Sequence, residues 1–481
     1  MKTICLIPSA SRTRLMHRDV LYGCWCSGNR VGGGILPPLT LLTIATVLNE
    51  DGSDVTLIDM VAQEMSIEDI EGLATSFDVV VVLTSTMSFL EDLSVIGAIR
   101  GKNPELKTIF FGSHPTFMPR ETLAHSEVDF IVMKEPFYAV RDLVRALSSG
   151  WNIDDIPGIG YIDSGKPVIH PDYPFIDFEE IPIADRGLLP KHDYFNPIIR
   201  NYPYTTTNTS YGCPGRCSFC IAPGMMGKKL RYWSAEKVLM EIEYLLSEGI
   251  REIYYRDETF TIFSKRNMSI FRSIIDKGLD FSWLCNVRVG TVKKEELALM
   301  ADAGCRLIKV GVESGSQEIL DRSRKGIRTV DTERLFLWAK EIGIDTHAHL
   351  MFGMPGETVK TMEETLRFIE KIKPTTIDAG ICTPYPGSEL FDELRKEKPD
   401  IGDGTWLNWE NLHQVAHFNH LFTDVTGDDI KKMILKIYRK FYLSPPYMLK
   451  KLLDIRSGGE LKRLISVGSR VVRYSIFGEN E

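Results

Sequence analysis

No stretch of this sequence is uniformly apolar for the roughly 20 residues that a membrane-crossing helix requires. Residues 1–8 read as a buried strand and lack the charged, apolar, small-residue order of a secretion signal. Positive charge is not in excess. The 57 Lys and Arg stand against 65 Asp and Glu, a net charge of −8, so nothing general points to a nucleic-acid partner. Cysteine is sparse, nine in 481 residues, and scattered except at Cys24-Trp25-Cys26 and between residues 213 and 220. That distribution is unlike a disulfide framework and suits a reducing, cytoplasmic compartment. What remains is the composition of a soluble globular chain, 43% hydrophobic and 25% charged, long enough for two or three domains.

The most informative stretch, residues 211–220, reads Y-G-C-P-G-R-C-S-F-C. Cys213, Cys217 and Cys220 stand in the spacing Cys-x3-Cys-x2-Cys. Three thiolates on one short loop suit three irons of a [4Fe–4S] cluster, because iron takes soft sulfur ligands in tetrahedral geometry. No fourth cysteine follows nearby, so one iron is left for a ligand that is not protein. A zinc site or three core cysteines are the alternatives, but the second Cys or His pair of a zinc ribbon is missing. Gly215 lets the loop turn tightly.

Elsewhere strands and helices alternate. Strands are expected at 3–7, 55–59, 79–83, 108–111 and 130–133. Helices are expected at 39–48, 67–74, 89–100, 121–125 and 136–147. This order predicts a doubly wound parallel sheet, with ligand-binding loops at the carboxyl ends of its strands. Residues 158–169 read as a small hairpin, followed by a proline-rich strap. From residue 205 the alternation resumes in six units, with strands at 206–211, 252–255, 281–285, 307–311, 345–352 and 376–382. Six βα units make a partial barrel, whose active groups belong on the same strand ends. The expected division is 1–150, a connector at 151–200, 201–390, and a helical region at 391–481.

The cysteine spacing, with Phe219 before the last cysteine, resembles the signature of the radical S-adenosyl-L-methionine (SAM) enzymes. The resemblance implies a [4Fe–4S] cluster whose open iron is chelated by SAM. It also implies reductive cleavage of SAM to a 5′-deoxyadenosyl radical that abstracts hydrogen from an unactivated carbon. Three further strand ends agree with it. Asp257 and Glu258 follow the second barrel strand, where the family holds the SAM amino group. Glu313 and Ser314 follow the fourth and match the ribose and methionine contacts. Gly353, within Gly353-Met354-Pro355-Gly356-Glu357, matches the element near adenine. Helix capping is the ordinary alternative for Asp257 and Ser314. Arg288 is open between a SAM or substrate carboxylate and an exposed surface.

The N-terminal loops together resemble the cobalamin-binding domain that precedes the radical SAM domain in one large subgroup. Pro37 and Leu39 lie in the Pro-Pro-Leu after a long first loop. Thr84, Ser85 and Thr86 follow the third strand. Gly112, Ser113 and His114 form the turn after the fourth, and Glu135 follows the fifth. There are departures. The fifth-strand loop reads Lys-Glu-Pro-Phe, and Ser113 replaces a usual glycine. The Asp-x-His-x-x-Gly motif of His-ligated cobalamin proteins is absent, which implies no histidine of that motif beneath cobalt. The long loop, with Arg12, Arg14, Arg18, Arg30 and Cys24-Trp25-Cys26, is a candidate cover for one corrin face.

His347 and His349 share one face of the fifth barrel strand, either the lumen or the helix side. Trp406, Trp409, His413, His417 and His420 suggest a lid. The basic segment 450–473 suggests either a membrane or anionic-substrate contact or a charged packing helix. The resemblance is strongest to the branch containing hopanoid ring-contracting enzymes and class B methylases. It implies methylation of an unactivated carbon. The alternatives are radical cyclisation or ring contraction of a lipid-like substrate, and, from another class, a cobalamin- or cluster-binding sensor. Expected partners are a small-molecule, lipid or peptide substrate and an electron donor such as flavodoxin or ferredoxin.

Overall fold

The protein is seen in a computed structural model that describes residues 1–9, 34–192, 194–397, 422–455 and 458–478. The residues suggested for the corrin cover and for the lid lie outside the described residues.

The first half is a doubly wound sheet. Its elements are β1 (Lys2–Ile7), α1 (Leu39–Glu50), β2 (Asp54–Asp59), α2 (Ile67–Leu73), β3 (Val79–Thr84), α3 (Phe89–Lys102), β4 (Lys107–Gly112), α4 (Ser113–Phe117), α5 (Pro119–Thr122), β5 (Phe130–Val132) and α6 (Phe137–Ser149). The strands run in the order β2-β1-β3-β4-β5, all parallel. β3 is Val-Val-Val-Val-Leu-Thr and every residue is buried, as a central strand covered by helices on both faces requires. A short helix stands at 119–122 where the sequence suggested 121–125, because Pro119 is preset for the first helical turn. The expected hairpin, β6 (Ile159–Asp163) and β7 (Lys166–Ile169), does not stand apart. It adds two antiparallel strands to the edge of this sheet.

The second half is a six-stranded parallel sheet in the order β15-β14-β13-β12-β11-β8. Its strands are β8 (Tyr204–Thr207), β11 (Glu252–Tyr255), β12 (Ser282–Val287), β13 (Cys305–Glu313), β14 (Asp345–Phe352) and β15 (Thr376–Ile381). The expected strand at 206–211 is two pieces. β9 (Ser210–Tyr211) leaves the sheet to pair with β10 (Arg231–Tyr232). Helices α7 (Ala222–Met226), α8 (Ala235–Ser247), α9 (Ser264–Asp276), α10 (Lys294–Asp302), α11 (Gln317–Arg322), α12 (Thr329–Ile342), α13 (Val359–Ile372) and α14 (Glu389–Glu397) lie between and after the strands. Ile253, Trp283, Ile308, Val310, Ala348 and Leu350 pack against the helices. The opposite, concave face carries Tyr204, Tyr254, Leu284 and Leu307, which meet Leu36 and Ala62 of the first half.

The chain continues in α15 (Gly427–Tyr442), α16 (Pro445–Leu453) and α17 (Gly458–Phe477). α15 buries a stripe of Ile430, Met433, Ile434, Ile437 and Tyr438. None of the described helices is long and apolar enough to cross a membrane.

Candidate active site

The carboxyl ends of the two parallel sheets face each other. Thr206 Oγ1 donates to the Pro37 carbonyl at 3.4 Å, and the Tyr385 hydroxyl meets Met87 Sδ at 2.7 Å. Arg231 donates from Nη1 to Glu135 at 2.9 Å within a bidentate, nearly buried pair. A Cβ on Gly224 or Gly387 would press on the ring of Phe117. Every contact joins a strand-end loop of one half to the mouth of the other.

The cysteine loop leaves β9 at that mouth. Cys213, Cys217 and Cys220 form no disulfide and are half-buried together. A Cβ at Gly215 would lie 3.2 Å from Cys213 Sγ and 4.0 Å from Cys217 Sγ. A side chain there would crowd the Cys213 sulfur, and glycine leaves that space open. Phe219 and the sulfur-bearing side chains Met351, Met354 and Cys382 wall the loop, with Ile319 and Leu390. Arg288 is not a surface residue. Its Nη1 lies 3.9 Å from Cys217 Sγ and its Nη2 donates to the Lys325 carbonyl.

The structure separates the two acids after β11. Asp257 is fully buried and bound by the backbone N–H of Thr209 and by the hydroxyls of Thr209 and Ser210. It fixes the strand that launches the cysteine loop. Glu258 instead keeps a buried Oε1 with no partner among the described residues. Burial pushes its carboxyl up to about 7, against the pull of Arg256 and Lys325. An ammonium placed beside that oxygen would satisfy it.

Glu313 ends β13 after an irregularity between Gly311 and Glu313, with a left-handed φ of 59°. Such a bulge re-aims a side chain, and strained backbone of this kind gathers at functional sites. Glu313 Oε1 accepts from Lys325 Nζ at 2.6 Å, while its Oε2 is buried and unsatisfied. A Cβ on Gly311 would fall 2.6 Å from Glu313 Oε1 and 2.7 Å from Lys325 Nζ. Ser314 is occupied otherwise, its hydroxyl accepting from Ser316 N–H at 3.1 Å just before α11 and meeting Thr365 of α13. Gly353 adopts φ 81° and donates to Glu357, whose other oxygen is buried without a partner. Lys325 was missed from the sequence. It stands in a loop after α11 where no periodicity or strand end marks it.

The first sheet's edge is built differently. Thr84 Oγ1 donates to Asp92 at 2.7 Å, and Ser85 and Ser88 hydroxyls meet at 3.1 Å. His114 is fully buried. Its Nδ1 faces Thr86 Oγ1 at 3.4 Å, its Nε2 is bound to Glu121, and Phe89 stacks on its ring at 4.2 Å. Ser113 opens α4 and is buried; Leu39 opens α1 and is buried. Gly112 has φ 123°, and a Cβ there would collide with the Thr84 carbonyl.

Comparison with known proteins matches both halves. Residues 207–369 match the radical SAM superfamily and residues 28–144 match the B12 binding domain. An uncharacterized methyltransferase of Pyrococcus horikoshii is 32% identical over 441 residues, 91% of this chain and 94% of the relative. The chain belongs to the cobalamin-binding radical SAM enzymes. An anaerobic magnesium-protoporphyrin IX monomethyl ester cyclase of Rubrivivax gelatinosus is 28% identical over 433 residues, 88% of this chain and 76% of the relative. The solved structure of OxsB, a cobalamin-dependent S-adenosylmethionine radical enzyme with aqua-cobalamin and S-adenosylmethionine bound, shares the fold. Its TM-score is 0.70 at 18% identity, over 99% of this chain and 71% of OxsB.

Proposed function

We propose that this radical SAM enzyme methylates an unactivated carbon of its substrate. In this reading Cys213, Cys217 and Cys220 hold a [4Fe–4S] cluster, Glu258 and Glu313 hold SAM, and the strand-end loops of the first sheet hold cobalamin. The cluster with SAM supplies hydrogen abstraction, and cobalamin supplies a transferable methyl group. The chain's own residues bind, orient and exclude water. Glu258 offers an unpaired oxygen to an ammonium, and Lys325 fixes the aim of Glu313. Gly311 leaves the wall of the lumen open beside them. Phe219, Met351 and Met354 give an apolar wall beside the cysteine loop. The single observation that carries the proposal is the apposition of the two strand-end edges through Pro37–Thr206, Met87–Tyr385 and Glu135–Arg231. It supports one chamber served by both halves.

A second reading, ring formation without methyl transfer, is favoured by the cyclase named among the relatives. Anaerobic turnover distinguishes them. Methylation yields S-adenosylhomocysteine together with 5′-deoxyadenosine, whereas ring chemistry yields 5′-deoxyadenosine alone.

The reductant in this proposal is a low-potential donor such as flavodoxin or ferredoxin, and the setting is the cytoplasm. A peripheral membrane contact is supported by the C-terminal helices. On α17, Leu461, Ile465, Val472 and Ile476 are exposed, and at 100° per residue they fall on one stripe. Tyr474, on the other side, packs edge-on against Tyr438 of α15 at 5.1 Å. Met448, Leu449, Leu452 and Leu453 of α16 are exposed as well, and Lys450, Lys462 and Arg473 lie among these apolar residues. Apolar residues rimmed by Lys and Arg suit an anionic lipid surface.

A further inference from the structure

β14 presents alternate residues to alternate faces. Ala348 and Leu350 join the core under the helices, and Met351 joins the wall beside the cysteine loop. His347 and His349 therefore face the lumen. Asp378 of β15, in register with His349, faces it too. One Asp378 oxygen lies 2.6 Å from His349 Nδ1 and the other 3.2 Å from His347 Nε2. One potential ligand atom from each residue lies within 4.8 Å of the others. The Asp378 side chain keeps 40% of its surface open, so the trio borders a space rather than a sealed core.

We propose that His347, His349 and Asp378 bind one divalent first-row transition-metal cation on the lumen wall. Two imidazoles and one carboxylate are a common donor set for such ions, and three protein ligands leave open positions. Ligand atoms 2.0–2.1 Å from a tetrahedral metal stand about 3.3 Å apart, near the His347–Asp378 separation. His347 Nδ1 lies 2.7 Å from Thr376 Oγ1, the outer hydrogen bond that orients a ligating imidazole. When Nδ1 donates there, Nε2 and the Asp378 carboxylate meet lone pair to lone pair, an opposition that a cation relieves. The neighbouring cation, Lys309, extends across β12 to the Tyr254 hydroxyl at 2.7 Å. His349 is in register with Gly311, at the edge of the pocket assigned to SAM. The open coordination positions would thus meet an oxygen or nitrogen of the methyl acceptor, and this last step alone rests on the methylation reading.

The test is Co2+ titration of the full chain after cluster reconstitution and chelation of adventitious metal. One Co2+ per chain should bind, with the visible bands of a nitrogen- and oxygen-ligated site. Asp378→Asn and His349→Ala should each weaken binding at least about tenfold while leaving cluster iron and the melting temperature unchanged. No stoichiometric Co2+ in the parent chain, or equal binding in both variants, would overturn the site and leave a hydrogen-bonded trio. Neither result depends on turnover, so the site and the methylation reading fail separately.

Discussion

The two strand-end edges leave their polar side chains in opposite states. At the barrel mouth Glu258, Glu313 and Glu357 each keep a buried oxygen without a partner among the described residues. At the edge of the first sheet Thr84, Ser85, Thr86, His114 and Glu135 are all engaged by Asp92, Ser88, Glu121, Arg231 or one another. A buried polar group left unpaired costs about 1–3 kcal/mol, so the barrel edge is incomplete by itself and the first edge is not. In the proposed reading the unpaired carboxylates recognise a small charged molecule, whereas loop backbone receives a large ring and the side chains there shape the loops.

The contrast can be broken in several places. Replacing Cys213, Cys217 and Cys220 together with Ala should remove essentially all of the cluster iron, measured after anaerobic reconstitution. Gly112→Val should abolish cobalamin retention while cluster iron stays, because its Cβ would strike the Thr84 carbonyl. Ser85→Ala, which removes only a hydroxyl, should change retention by less than about threefold. Equal losses in these two variants would mean that side chains, not backbone, receive the ring.

Glu357 gives a pH signature. Burial raises its carboxyl to about 8, above the ordinary 4.5, despite the N–H groups of Gly353 and Met354. The folded chain therefore holds a proton that the unfolded chain releases between those values, and stability falls as pH rises through that window. Glu357→Gln should remove this fall, a difference on the order of a few kcal/mol between pH 5 and 8 by denaturant titration. Parallel curves for the two proteins would refute it. Glu258→Gln and Glu313→Gln should each weaken SAM binding by about 1.5–3 kcal/mol with the cluster intact, read by calorimetry.

The sequence made the strands legible where the apolar pattern is strong. β11 and β14 begin and end as expected. It could not divide β8 from β9, since a strand that leaves its sheet keeps its composition. Nor could it tell Asp257 from Glu258. Adjacent residues at a strand end point opposite ways, and only the Thr209 and Ser210 contacts show which is occupied. His114 reads in the sequence as part of the turn after the fourth strand. Its burial depends on Glu121 and Phe89, partners that sequence distance alone does not reveal. The face of His347 and His349 became readable only with the neighbouring strands in place.

The claim that the first edge receives cobalamin without a side-chain ligand is tested most directly by electron paramagnetic resonance. The sample is the full chain loaded with cobalamin and held in the cob(II) state. With both nitrogens of His114 already engaged, the cobalt signal should show no superhyperfine splitting from an axial nitrogen. A three-line nitrogen pattern would contradict the account, since a protein imidazole or the cofactor's own base would then occupy the axial position.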